Sequence, residues 1–173
     1  YNFFLSVLFP SDELKIYGYD RVVTDKNGYT FTSFLDKIKD SFNITRIGAG
    51  PYRPEDKGAF GIYSEGVWYR AQAHTSLMSD DPVSGLDVSI LQDHILAPVL
   101  GIRDPKTDSR IRFVGEIKGA EALEHMADDS GGIAFSMHPT SMEELLRIAD
   151  SGRLMPPKST WFVPKLRGGL FIH

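Results

Sequence analysis

The chain of 173 residues contains no cysteine. Disulfide bonds, thiolate catalysis and cysteine-ligated zinc are therefore excluded, and the fold must rest on a hydrophobic core. The length is sufficient for such a core and lies within the range of a single domain. With 42% hydrophobic and 24% charged residues, the composition is that of an ordinary globular protein. We therefore expect one domain over residues 1–173.

The net charge of −4 argues against binding nucleic acid by neutralising phosphates, which requires an excess of Lys and Arg. No apolar run approaches the roughly 20 residues that a membrane helix needs. The chain begins at Tyr1 with neither an initiator Met nor the basic segment of a signal peptide. We expect a cytoplasmic protein of which this chain is the C-terminal half, with the missing N-terminal domain as its partner.

Residue patterns predict an α+β domain, with about four helices packed on a mixed, mainly antiparallel sheet. The first two predicted strands are expected to pair as a hairpin, and so are the third and fourth. The predicted strands, each bounded by turn residues, cover 2–9, 14–23, 59–63, 67–73, 110–114 and 132–137. A further proline-flanked aromatic segment near 161 is expected to be an edge strand or an extended loop.

Apolar residues at helical spacing predict the four helices. Thr30 or Thr32 is expected to cap the first helix, and Asp87 the second. Thr140 and Glu143 have the Ser/Thr-x-x-Glu spacing of a capping box at the start of the fourth. The predicted helices cover 34–42, 87–100 and 120–128, with the last running from 140 to Gly152.

Several stretches of the sequence are similar to a known family. Residues 155–162 read MPPKSTWF and are followed by PKL at 164–166 and GL at 169–170. Together with YNFFL at 1–5, LDVSILQ at 86–92, DPKTD at 104–108 and RIRFVG at 110–115, they resemble an uncharacterised prokaryotic family, number 1015 among the domains of unknown function. The resemblance implies an N-terminal half similar to the ParB/sulfiredoxin group. It implies no established activity, so neither a cofactor nor a catalytic residue is assigned.

Cations and hydroxyls are concentrated in the last segment. Lys158, Ser159, Thr160, Lys165 and Arg167 lie within ten residues of one another on a proline-stiffened backbone. Such a rigid group of donors suits a phosphate or a carboxylate, because binding then costs little ordering entropy. We expect these residues to bind substrate. The alternative is an edge strand that carries solubilising lysines.

Arg110 and Arg112 are the expected neighbours of that segment. Residues two apart on a strand point to the same side of the sheet, so the two guanidinium groups would form a fork for an anion. The alternative is a pair of exposed ion pairs without a function.

Other chemistries find little support. The five histidines show no metal-ligand spacing, and no metal site is predicted. Lys158 follows proline rather than a glycine-rich run, which excludes a P-loop. Ser136 lacks the Gly-x-Ser-x-Gly context of a serine hydrolase. His138 is the best placed histidine for acid/base work, although a loop histidine bonded to backbone fits its position equally well.

Two hypotheses follow. The leading one is the C-terminal domain of an enzyme that binds a small phosphate- or carboxylate-bearing metabolite. The alternative is a non-catalytic module that forms a homodimer or supports a nucleic-acid-binding N-terminal half.

Overall fold

The computed structural model describes residues 6–8, 10 and 13–165. Its strands are β1 (Lys15–Tyr17), β2 (Tyr19–Val23), β3 (Phe42–Gly48), β4 (Ala59–Ser64), β5 (Val67–Ala73), β6 (Ile111–Gly115), β7 (Ile133–Met137) and β8 (Trp161–Val163). Its α-helices are α1 (Phe31–Ile38), α2 (Asp87–Leu91), α3 (Ala120–Ser130) and α4 (Met142–Asp150).

Six strands form one sheet in the order β3-β5-β4-β7-β2-β6, while β1 and β8 form a separate pair. Every strand pairing within the described residues is antiparallel. The fold class predicted from the sequence, an α+β domain with a mainly antiparallel sheet and four helices, is confirmed.

Helices cover both faces of the large sheet. On one face, Phe34 of α1 and Leu91 of α2 pack with Phe135 of β7 in the larger core cluster. On the other face, Leu123 of α3 packs with Val22 of β2 in a smaller cluster. Adjacent residues of β2 therefore point into different cores, as the alternation of side chains along a strand requires.

The strand predictions are partly confirmed. The hairpin of β4 and β5 forms around the turn at Glu65 and Gly66. The predicted strand 14–23 is divided into two strands, β1 and β2. The proline-flanked segment near 161 forms β8, which pairs only with β1 among the described strands and so has the edge position expected for it. The predicted strand 2–9, which was expected to form a hairpin with 14–23, lies largely outside the described residues. Phe42 begins β3 instead of extending the first helix, so that part of the helix prediction is wrong.

The helix caps needed two corrections. Thr30 caps α1 as expected, because its hydroxyl accepts the Ser33 N–H. Asp87 is not a cap: Leu86 occupies that position, and no side chain caps α2. The capping box of α4 is formed by Ser141 and Glu144, one residue later than predicted.

The helix predicted from Asp87 to Leu100 is shorter and irregular. After α2 it continues as a π-helical turn over Gln92–Leu96, and Pro98 follows, as expected for a residue that ends helices. Within the described part of the chain, every helix is too short or too polar to cross a bilayer.

Candidate functional site

The candidate site is built around Arg21, in the middle of β2. In the register of the sheet, Arg21 lies opposite Phe113 on β6 and Phe135 on β7. Directly opposed residues share a face, so Arg21 points toward the larger core. Its exposed fraction is only 3%, and among the described residues it is the only buried lysine or arginine.

Arg21 is buried and has no ion-pair partner in the part of the chain that the structure describes. Its guanidinium group donates hydrogen bonds to the carbonyls of Tyr19 and Lys158, the latter at 3.1 Å, and lies 5.6 Å from the ring centre of Phe113. Within the described residues no carboxylate forms a salt bridge with it. A guanidinium group has five N–H donors, so three lack a partner there.

Burial lowers the pKa of Arg21 to about 10. The charge of Asp20 acts in the opposite direction, and the net shift from 12.5 disfavours the charged form by about 3 kcal/mol, while the group stays charged at neutral pH. Buried charges in proteins are normally paired, because the cost of leaving water is otherwise not recovered. An anion beside Arg21 would offset this free-energy cost.

Arg21 lines a cavity of about 260 Å³. The wall combines a few polar groups with a larger apolar part, and the residues that form it are Arg21, Val88, Gln92, Leu96, Asp104, Pro105, Lys106, Phe113, Pro156 and Pro157. Val88, Gln92 and Leu96 are four residues apart and so lie along one side of α2 and the turn that follows it. Lys106 supplies a second cation, from an exposed loop.

One carboxylate also lies in this wall. Asp104 accepts hydrogen bonds from the Lys106 N–H and from the Thr107 hydroxyl, both at 3.0 Å. Its two oxygens are therefore engaged in stabilising their own loop. The charged side chains of the wall add up to one net positive charge.

The turn from Pro156 to Ser159 closes the cavity on one side. The Ser159 hydroxyl donates to the Pro156 carbonyl at 2.6 Å, and the Thr140 hydroxyl donates to the Ser159 carbonyl at 3.3 Å. Lys158 adopts a φ of 57°, a left-handed conformation that non-glycine residues seldom occupy. This conformation aims the Lys158 carbonyl at Arg21.

The side chains predicted on this segment do not enter the cavity. The Lys158 ammonium lies 5.8 Å from the ring centre of Tyr19, and that of Lys165 lies 3.4 Å from the ring of Trp161. Ser159 is buried in the turn. Thr160 and Lys165 line a separate, wider groove of about 510 Å³ with Trp161. Arg167 lies outside the described residues.

The two predicted arginines do not form a fork. Arg110 forms salt bridges with Asp108 at 2.8 Å and Asp25 at 3.5 Å, and donates to two backbone carbonyls. Arg112 is exposed and pairs with Val22 in register, which places it on the opposite face of the sheet from Arg21. A ligand role for these residues stays a prediction, but they do not meet at the Arg21 cavity.

A second cluster of titratable groups lies at the start of α2. Asp87 is buried, and its carboxylate accepts the Gly58 N–H at 2.9 Å. Burial raises the pKa of Asp87 to about 7. His138 and Thr140 line the same narrow crevice, where Lys57 pairs with Glu144 at 2.5 Å. The crevice is too narrow to hold a ligand in this structure.

The chain belongs to the family described as "Protein of unknown function (DUF1015)", whose sequence pattern matches residues 1–89. The resemblance seen in the sequence is thereby confirmed. No curated protein matches the chain.

Solved structures share the fold. A mutant of free serine kinase in complex with AMP is 15% identical, with a TM-score of 0.52. A conserved hypothetical protein from Pyrococcus furiosus is 14% identical, with a TM-score of 0.51. The matches cover 88% and 87% of this chain but only 55% and 56% of the other chains. The chain thus spans little more than half the length of these proteins.

Proposed function

We propose that this domain binds a small phosphate- or carboxylate-bearing metabolite, with the anionic group held by Arg21. The observation that carries the proposal is a buried guanidinium group that forms no salt bridge within the described residues, beside a cavity. An anion there would accept the unused N–H donors in charge-assisted hydrogen bonds, which are the strong class of such bonds in proteins. Lys106 would supply a second contact at the edge of the cavity.

Two further points support the proposal. Arg21 destabilises the empty domain by the cost of its burial, and a residue that costs stability is more typical of a binding site than of a structural role. One protein of similar fold was solved with AMP, a phosphate-bearing ligand. The shared fold leaves the location of that ligand open for this chain, so the proposal rests on Arg21.

The test compares the wild type with Arg21→Met, which keeps much of the side-chain volume but removes the charge. Thermal unfolding is followed in inorganic phosphate, phenyl phosphate and benzoate, against sodium chloride at matched ionic strength. We expect the anions to stabilise the wild type, by about 2.7 kcal/mol at one hundred times Kd. We expect Arg21→Met to lose this response and to unfold at an equal or higher temperature without anion, because a buried unpaired charge has been removed.

Arg112→Met is the matched control, since it removes an exposed cation from the other face of the sheet. Its response to anions should equal that of the wild type. If Arg21→Met responds to the anions like the wild type, or if none of them stabilises the wild type beyond chloride, Arg21 is not an anion site.

An enzymatic role for the whole protein is part of the proposal, with this domain contributing the metabolite site. The homodimer suggested as an alternative stays a prediction. Sedimentation velocity of the domain at several concentrations tests it directly.

A further inference from the structure

We propose that the metabolite bound at Arg21 has an apolar body, such as a branched aliphatic chain or a single aromatic ring, next to its anionic group. This inference rests on the proposed function and narrows its ligand class. It sets the site apart from one built for a sugar phosphate or another polyhydroxylated anion.

The first argument is the composition of the wall. Six of the ten lining residues are apolar, namely Val88, Leu96, Pro105, Phe113, Pro156 and Pro157. They come from separate parts of the chain, so the apolar surface is not confined to a single helix or loop. A ligand that placed hydroxyls against this surface would lose their hydrogen bonds to water without replacement.

The second argument is that the anionic group of the ligand would occupy the cationic donors of the wall, which leaves few partners for a hydroxyl group. The amide nitrogen of Gln92 donates to the Ile102 carbonyl at 2.8 Å, which fixes the orientation of the amide. Its oxygen is shielded from solvent and has no partner within the described residues. Each Asp104 oxygen already accepts one hydrogen bond from its own loop, so this exposed carboxylate keeps only part of its acceptor capacity. The remaining polar contacts, Arg21 and Lys106, are cations, which suit an anion.

The third argument is size. The volume of about 260 Å³ is below the 300 to 1,000 Å³ typical of sites for drug-sized ligands. The rings of prolines 156 and 157 and the Phe113 ring restrict its shape, since none of them can move aside by simple rotation of a flexible chain. A compact ligand with one anionic group therefore fits better than an extended one.

The experiment uses two pairs of anions that differ in their hydroxyl groups. Butyl phosphate is compared with glycerol 3-phosphate, and isovalerate with glycerate, by calorimetric titration of the wild-type chain. We expect the apolar member of each pair to bind at least tenfold more tightly, since each buried methylene contributes and each unpaired hydroxyl costs binding energy.

Val88→Thr provides the matched variant, because threonine has nearly the shape of valine but adds a hydroxyl to the wall. We expect it to reduce the preference for the apolar anions by about fivefold. Val99→Thr is the control: Val99 is equally buried, at 5% against 6% for Val88, but does not line the cavity. Its preference should equal that of the wild type, and thermal unfolding shows that both variants are folded.

The outcomes separate the two proposals. If the hydroxylated anions bind as tightly as the apolar ones, or if Val88→Thr and Val99→Thr behave alike, the inference about the ligand body is wrong while the anion site stands. If no member of either pair binds, and inorganic phosphate does not bind either, the proposed function fails and this inference fails with it.

Discussion

Replacing Asp87 by Asn removes a buried carboxylate that forms no salt bridge within the described residues. The carboxylate accepts the Gly58 N–H, and Lys57, whose charge acts to lower the pKa of Asp87, pairs with Glu144. Asparagine keeps a side-chain oxygen for the Gly58 N–H and cannot ionise. The substitution therefore isolates the free energy of keeping a charge at this position.

The magnitude follows from the pKa. Burial raises the pKa of Asp87 from 3.8 to about 7 in the folded chain. Between about pH 4 and pH 7 the folded state holds a proton that the unfolded state has lost, so the free energy of unfolding falls as the pH rises. At about 1.4 kcal/mol per pH unit, the total loss is about 4 kcal/mol, and it is complete above pH 7.

The assay is urea unfolding, followed by circular dichroism at pH 5 and pH 8. Between these two values the stability of Asp87→Asn relative to the wild type should rise by about 3 kcal/mol. The new amide N–H groups cost about 1 to 3 kcal/mol at both pH values, so only the pH-dependent part is diagnostic.

Asp36→Asn is the control, because Asp36 is exposed and pairs with Lys39 on the surface of α1. The difference in the free energy of unfolding between Asp36→Asn and the wild type should change little with pH. The reasoning is refuted if the difference in unfolding free energy between Asp87→Asn and the wild type is the same at pH 5 and pH 8, or if it favours the wild type more at pH 8.

Two further substitutions test the packing and the helix start. An alanine Cβ at Gly115 would lie 2.5 Å from the ring of Trp161, so Gly115→Ala should lower the free energy of unfolding by about 1 to 3 kcal/mol. It should also change the fluorescence of Trp161, measured in a Trp68→Phe background; an unchanged spectrum would contradict the contact. Ser141→Ala removes the capping hydroxyl of α4 and should cost about 1 kcal/mol in urea unfolding, whereas Thr140→Ser, one residue earlier, should cost less.

Local patterns predicted the fold class because each element carries its own signal. The hairpin of β4 and β5 is marked by a turn between two apolar runs, and α3 and β7 were found within two residues of their ends. The strand β3 was missed because four of its seven residues are polar or glycine, and Phe42 also completes the apolar stripe of α1. A sheet edge needs few apolar residues, so its sequence signal is weak.

Sequence spacing alone could not decide which cations are already paired. Arg110 and Arg112 have the strand spacing that puts both on one face, but Arg110 lies before β6 and binds the carbonyls of Leu100 and Gly101. The capping box shows the same difficulty. Thr140 matched the pattern, yet its hydroxyl donates a hydrogen bond to the carbonyl of Ser159, nineteen residues later in the chain.

Arg21 was missed, although the sequence does contain a signal for it. Tyr19, Arg21 and Val23 alternate with Asp20 and Val22, so a strand here must either bury one charged residue on each face or expose at least one valine. The Asp20 carboxylate forms a salt bridge with Arg53, at 3.1 Å, and accepts a hydrogen bond from the Met137 N–H. The Arg21 guanidinium group contacts two carbonyls and an aromatic ring but forms no salt bridge within the described residues. The two neighbours thus differ in a way that only the structure reveals: Asp20 forms a salt bridge within the described chain, whereas Arg21 forms none there, and we propose that an anionic ligand pairs with it.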